Sequence, residues 1–242
     1  MELDPREWRP QAFGRRHARD VHDALVEPGW DGTRVLVRVR AGQPVEVADS
    51  DGDDVAESCG VILEALAKAV LADSAVIDGY LTYQATQTLI STIPESDTQS
   101  LGAHMSQFML GSAADRLKSD RASEYRARGT GEPVRPKPSV EVTDEEGAPV
   151  LGPLAFVAVD LLAVDGQDLL DVPLLERKRI LDSVVEESLL VRRTPYVREP
   201  VTTFVNSWRA AGFGELAYKD PNSRYLPGDE NDGWALASMP RR

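Results

Sequence analysis

Cysteine, lysine and aromatic residues are all scarce in this sequence, and each shortage removes a class of function. One cysteine, Cys59, occurs in 242 residues, so no internal disulfide can form, and with only three histidines beside it a structural zinc cluster is not expected. A lone cysteine near a helix start is expected to be buried filler, not a nucleophile. The cysteine usage points to the reducing cytoplasm. No run of about 18 apolar residues occurs, so no membrane-spanning helix is expected. Met1-Glu2-Leu3-Asp4-Pro5 lacks the charged-then-apolar layout of a secretory leader. Lysine is limited to Lys68, Lys118, Lys137, Lys178 and Lys219, which leaves few candidates for amine chemistry. Lysine and arginine together number 27 against 40 acidic residues, a net charge of −13. Duplex binding draws much of its affinity from phosphate neutralisation, so DNA contact is expected to be weak or indirect.

What is present suits a mixed fold. Hydrophobic residues make up 42% of the chain, enough for one sizeable core. Residues 1–20 read as an arginine-rich lead-in anchored by Trp8 and Phe13, and 21–242 as the domain proper. Val35, Val37 and Val39 alternate with Arg34, Arg38 and Arg40 at the period of a half-buried strand. Gly42 turns the chain, and 44–48 returns as a second strand. Val55, Ile62, Leu63, Leu66 and Val70 predict an amphipathic helix over 55–71. Residues 75–83 read as a strand interrupted at Asp78-Gly79, and 155–164 as a buried strand turned by Asp165-Gly166. Asp171-Val172-Pro173 opens a helix with a capping acid. Another helix runs from Thr202 to Ala211 and stops at Gly212; strands follow at 215–219 and 233–238. Between them, 86–150 reads as an insertion with a loose stripe of Leu101, Met105, Phe108, Met109 and Leu117, a helix-pair core by default and a partner-binding face as the alternative. The pattern is α+β with mostly antiparallel strands flanked by helices.

Several segments together resemble one family. Glu27-Pro28-Gly29-Trp30-Asp31-Gly32-Thr33-Arg34 resembles the signature Glu-x-Lys-x-Asp-Gly-x-Arg of ATP-dependent DNA ligases. Val76-Ile77-Asp78-Gly79-Tyr80-Leu81 resembles the family's Leu-Asp-Gly-Glu-Leu strand. Phe156-Val157-Ala158-Val159-Asp160-Leu161-Leu162 with Asp165-Gly166 resembles its Phe-Asp-Leu-Leu segment, continued by Pro173-Leu174-Leu175-Glu176-Arg177. Gly212-Phe213-Gly214-Glu215-Leu216-Ala217-Tyr218-Lys219 resembles Gly-Phe-Glu-Gly-x-x-x-Lys, and Ser223-Arg224-Tyr225-Leu226-Pro227-Gly228 and Trp234 complete the series. Each match alone is weak; their collinearity over most of 24–238 is specific. The resemblance implies a ligase-type nucleotidyltransferase (ATP-grasp-like) fold. It also implies chemistry in which a lysine takes AMP from ATP and passes it to a DNA 5′-phosphate, with a divalent metal.

The residues for that chemistry are largely replaced. The lysine position is Gly29, the glutamate position Tyr80 and the stacking aromatic Val159. The carboxylate expected at Gly214 is gone unless the strand slips by one residue, and the Trp-x-Lys-x-Lys element carries Leu236 and Ser238. The arginine expected near Asp49-Ser50-Asp51-Gly52 is also missing. No catalytic or metal-binding residue is therefore assigned. Glu27, Trp30, Arg34 and Lys219 are the nucleotide-binding candidates that the resemblance leaves, while Lys68, Lys118, Lys137 and Lys178 are expected outside the site. Relatives continue into an oligonucleotide-binding-fold domain, and none is expected before Arg242. The leading expectation is a non-catalytic homologue that binds another protein through 86–150 and acts in or near DNA repair, with no cofactor. The alternatives are a true ATP-dependent ligase, serving DNA repair and recombination with ATP and Mg, and a nucleotide sensor built on Trp30, Arg34 and Lys219. Tyr80 and Leu236 are expected to fill part of the nucleotide's space.

Overall fold

The computed structural model describes residues 7–83, 154–198 and 201–239, without the side chain of Thr203. The insertion placed at 86–150 lies outside the described residues.

A mixed sheet of six strands forms the larger layer. Strand β3 (Thr33–Arg40) lies between β4 (Glu46–Asp49) and β5 (Ser74–Thr82), and β5 pairs in turn with β6 (Ala155–Val164). Strands β7 (Gln167–Asp168) and β8 (Val191–Arg193) pair with opposite ends of β6, and only β8 runs parallel to it. A second sheet has the order β11 (Trp234–Ser238), β9 (Glu215–Lys219) and β2 (Leu25–Pro28), antiparallel throughout. A short parallel pair joins β1 (Ala12–Phe13) to β10 (Glu230–Asn231).

Alternation explains the core. Val35, Val37 and Val39 of β3 face one way, where Ile62 and Leu66 of helix α1 (Val61–Ala69) cover them. Leu36 of β3 faces the other way, onto Leu25 and Trp234 of the second sheet. The half-buried strand expected from valine–arginine alternation is thus covered on both faces, because its arginines are drawn into ion pairs. Arg34 binds Asp78, and Arg38 and Arg40 bind Glu46. Trp8 and Phe13 are partly buried against the inter-sheet core, as the sequence predicted.

Three local expectations change. The helix expected over 55–71 begins later: Ala56–Ser58 is a 3-10 turn, and Gly60 takes φ +50 before α1 starts. That left-handed backbone interrupts helix geometry at little cost only because the residue is glycine. Strand β5 runs unbroken through Asp78-Gly79. The pairing shifts instead, so that Val159 and Leu162 of β6 have no partner on β5. Gly79 is needed for close approach, not for a turn, since a Cβ there would lie 2.4 Å from the Val157 carbonyl oxygen and 2.5 Å from the Phe156 ring. Helix α2 (Leu174–Val184) has Pro173 in the capping position and no side-chain cap. Its first amides donate to a loop, Leu174 N to Ser223 O at 3.0 Å and Leu175 N to Pro221 O at 2.9 Å, which satisfies donors that a capping acid would otherwise take. Asp171 instead pairs with Arg224 on the surface. Helix α3 (Thr202–Ala210) ends as expected, with Gly212 at φ +91.

Candidate functional site

The residues singled out from the sequence converge on one face of the three-stranded sheet. Residues directly opposite on neighbouring strands share a face. Leu25, Lys219 and Trp234 make one row across β2, β9 and β11, and Glu27, Ala217 and Leu236 make the next. Beyond the last paired residues of β2, Gly29 N donates to Glu215 O at 2.9 Å, and Glu215 pairs with Ser238. The opposing wall comes from the larger sheet through Arg34, Tyr80 and Val159, with Phe13 at the edge. The pocket between them has a volume of about 60 Å³. Sites for ligands of nucleotide size enclose roughly 300–1,000 Å³.

Gly29 is more than a missing side chain. A Cβ there would lie 2.8 Å from the Cβ of Glu215 and 3.1 Å from its carbonyl carbon. Glu215 therefore occupies the space a side chain at 29 needs. Its carboxylate reaches the pocket one residue after the position expected at Gly214, because Glu215, Ala217 and Lys219 are two apart and share a face. Gly214 lies just outside β9, with nothing within 4 Å of where a Cβ would stand.

Glu27 and Lys219 do meet, but in the interior. Lys219 is 1% exposed and donates to Glu27 Oε2 at 2.7 Å, with its ammonium 4.1 Å from the centre of the Trp234 ring. Lys178 corrects an expectation, since the sequence placed it outside the site. It is 1% exposed, pairs with Glu27 Oε1 and donates to the carbonyl of Val159 at 2.6 Å. Val159 is one of the residues the β5–β6 pairing skips, so its carbonyl is available to a side chain. Glu27 thus bridges two buried ammonium groups. The signal was present in Arg177-Lys178, adjacent cations on a helix whose remaining periodicity faces the core.

Arg34 and Trp30 are likewise engaged. Arg34 binds Asp78 through both carboxylate oxygens, at 3.0 and 2.7 Å, and donates to Gln11 O at 2.6 Å. Tyr225 adds a 2.8 Å hydrogen bond to the same carboxylate. Burial opposes the Arg34 charge, yet Asp78 outweighs it and holds the guanidinium pKa above its ordinary value. Trp30 donates from its indole to Thr194 Oγ1 at 2.8 Å and meets Phe213 edge-on at 4.8 Å between ring centres. Asp160, across the sheet from Asp78, is held the same way by Arg177 at 2.9 and 2.7 Å. Tyr80 is half-buried, and Leu236 lines the pocket while 42% exposed. Tyr80 thus helps narrow the pocket as the sequence predicted, whereas Leu236 borders it from the open side. Cys59 is buried, and burial raises its thiol pKa.

Lys219 carries a pH consequence. Burial pushes its pKa down from 10.5 to about 8, with Glu27 pulling upward and Lys178 adding repulsion. Between those two values the unfolded chain binds more protons than the folded one, so stability rises with pH across that window. Relative to a Lys219→Met variant, the stability of the native chain should be flat below about pH 8. It should then grow by on the order of 3 kcal/mol towards pH 10.5. Urea unfolding at stepped pH checks this, and a difference that falls with pH contradicts it.

Residues 16–235 match the family described as ATP dependent DNA ligase domain. DNA ligase 2 of Methanosarcina mazei is 25% identical over 224 residues, covering 89% of this chain and 32% of that protein. A probable DNA ligase of Streptomyces coelicolor is 30% identical over 229 residues, covering 88% of this chain and 43% of that protein. The chain therefore spans less than half the length of these curated relatives. In fold it is similar to the ligase domain of M. tuberculosis LigD, with a TM-score of 0.57 and 17% identity over 98% of this chain and 61% of that one. It is also similar to a mycobacterial DNA ligase D complexed with ATP and MES, with a TM-score of 0.56 and 18% identity over 96% of this chain and 60% of that one. With its strand order, its collinear motifs and this match over most of its length, the chain belongs to the ATP-dependent DNA ligase family, as an adenylation domain.

Proposed function

We propose that this chain is a non-catalytic member of its family, a protein-binding or regulatory module linked to DNA repair. One observation carries the reading: the nucleophile's position is a glycine whose missing side chain would collide with Glu215 at 2.8 Å. A lysine amine there would have to attack the α-phosphorus of ATP. Among the described residues, no group lining the pocket replaces it. Lys219 is enclosed and bound to Glu27, while Arg34 is bound to Asp78 and stays protonated. The residues present also fit ATP and its metal poorly. The pocket of about 60 Å³ is small beside the sites that hold ligands of this size, and Glu27 is already shared by two lysines. Among the described residues no group of three or more histidine, cysteine or acidic side chains is arranged to hold a metal. The nucleophile and its electrostatic partners act as a unit in such chemistry, so losses at several positions are not made good by one survivor.

The partner in this reading is another protein, met through the apolar positions of 86–150. Incubation with labelled ATP and Mg²⁺, followed by denaturation, should leave no label on the chain. A retained acid-labile label would overturn the proposal and favour an adenylating enzyme. A thermal shift with millimolar ATP but no covalent label would favour a nucleotide sensor.

A further inference from the structure

We propose that Arg192 is a binding residue for a small carboxylate, which the Nε and Nη2 edge of its guanidinium takes side-on, as Arg34 takes Asp78 and Arg177 takes Asp160. The site lies outside the pocket described above and goes beyond the non-catalytic reading.

The fold supplies its own comparison. Arg34 Nε and Nη2 donate to the two oxygens of Asp78 at 3.0 and 2.7 Å, and Arg177 Nε and Nη2 donate to those of Asp160 at 2.9 and 2.7 Å. That edge of a guanidinium matches a carboxylate in spacing and plane. Arg192 is 1% exposed, and its Nε and Nη2 are both buried without a hydrogen-bond partner among the described residues. Donors left in that state cost stability. The neighbouring charges balance in number but not in contact, because Arg193 holds both carboxylates. Asp182 Oδ1 lies 3.1 Å from Arg193 Nη1, while Glu187 accepts from the Arg193 backbone N at 3.0 Å and stands 3.6 Å from its Nη2. Burial pushes the Arg192 pKa down from 12.5 to about 10 against the upward pull of Glu187, so the group stays charged at neutral pH.

Strand pairing places this unmatched edge. Arg192 of β8 is opposite Val157 of β6, which is opposite Tyr80 of β5, so the three share one face of the larger sheet. Thr194, two residues on, shares that face and accepts from the Trp30 indole at 2.8 Å. Strand β8 has three residues and pairs with β6 alone, so among the described residues it is an edge. A short edge strand opens at lower cost than a central one, which gives a small ligand a route to a guanidinium this enclosed. One unmatched cation is neutralised by one negative charge. A carboxylate carries that charge, whereas a phosphate dianion exceeds it in a chain whose net charge is already −13.

The test titrates the intact chain with sodium formate, holding ionic strength constant with chloride, and follows the Arg192 Nε–H resonance and the thermal midpoint. Formate should move the resonance saturably and raise the midpoint by about 2–4 °C, the rise that one net hydrogen-bonded contact gives a chain of this size. Arg192→Met keeps bulk without charge. It should melt no lower than the native chain in chloride, because an unpaired buried cation is gone, and should show no rise with formate. Arg192→Lys keeps the charge but loses the fork, and should need about tenfold more formate for the same rise. A flat titration, an equal response in either variant, or a lower midpoint for Arg192→Met in chloride would overturn the site. A response to inorganic phosphate with none to formate would overturn the assignment to carboxylates. Glu187 Oε2 is also buried without a hydrogen-bond partner, so an internal pairing is the competing account. It would show as an Arg192 Nε–H resonance that Glu187→Gln shifts in chloride alone and formate does not move, and that result would also overturn the proposal. The titration is independent of the ATP-labelling assay, so either reading can fail without the other.

Discussion

Replacing Glu27 by glutamine should destabilise the protein by on the order of 3–5 kcal/mol, the cost of leaving buried charges without their counter-ion. Glu27 is 1% exposed and lies between Lys178 and Lys219, each also 1% exposed. Glutamine keeps the size and can still accept a hydrogen bond, but it cannot neutralise two ammonium groups. The remaining contacts, the Val159 carbonyl at 2.6 Å and the Trp234 ring at 4.1 Å, are dipolar and quadrupolar and compensate only in part. The same charge arithmetic predicts that Glu27→Gln with Lys219→Met is less damaged than Glu27→Gln alone, because one orphaned cation is gone. Denaturant midpoints for the single and double variants measure this coupling. A cost below about 1 kcal/mol for Glu27→Gln would mean that water reaches the pair and screens it.

Restoring the nucleophile alone should fail. Gly29→Lys puts a Cβ 2.8 Å from Glu215 Cβ and near its backbone, atoms that no rotamer change can move away. The expected result is a loss of about 1–3 kcal/mol, typical of overpacking, with no uptake of AMP. Glu215→Gly should be tolerated, since that side chain is exposed. Combined with Gly29→Lys it should recover most of the lost stability, because the two positions exclude each other's side chains. A coupling energy near zero in that double-mutant cycle would show that β2 and β9 shift apart to accommodate both. AMP uptake by the double variant is not expected while Tyr80, Val159, Leu236 and Ser238 remain, and its appearance would show that the narrowed pocket opens readily.

The two variants mark different degrees of legibility. Lysine's absence at 29 could be read directly, because a signature with fixed spacing surrounds it. Glu215's part in closing the same space could not, since 186 positions along the chain separate the two residues and only strand pairing brings them together. Lys178 was misplaced for a related reason. Helical spacing identifies a face but not what covers it, and a lysine on a core-facing stripe is normally read as a solvated edge. Its burial depends on Glu27 and on the freed carbonyl of Val159, both of which belong to other strands. Asp78-Gly79 shows the same limit: the dipeptide has turn composition, yet it continues a strand because Gly79 permits close approach to β6 and Arg34 neutralises Asp78.

The sequence by itself determined the α+β class, most of the strands and helices that make it up, and the family, because alternation, helical periodicity and collinear motifs are local in the chain. It also determined that the position expected to carry the nucleophilic lysine is Gly29. Tertiary structure alone decided that the four candidate binding residues are engaged with one another or with the core, that Lys178 completes a buried pair of ammonium groups, and that Glu215 stands in the space beside Gly29. Those facts turn on which strands pair, in what register, and on which charges lose their water together. Such energies arise between residues distant in sequence, and a local pattern such as Arg177-Lys178 marks a face without its partners.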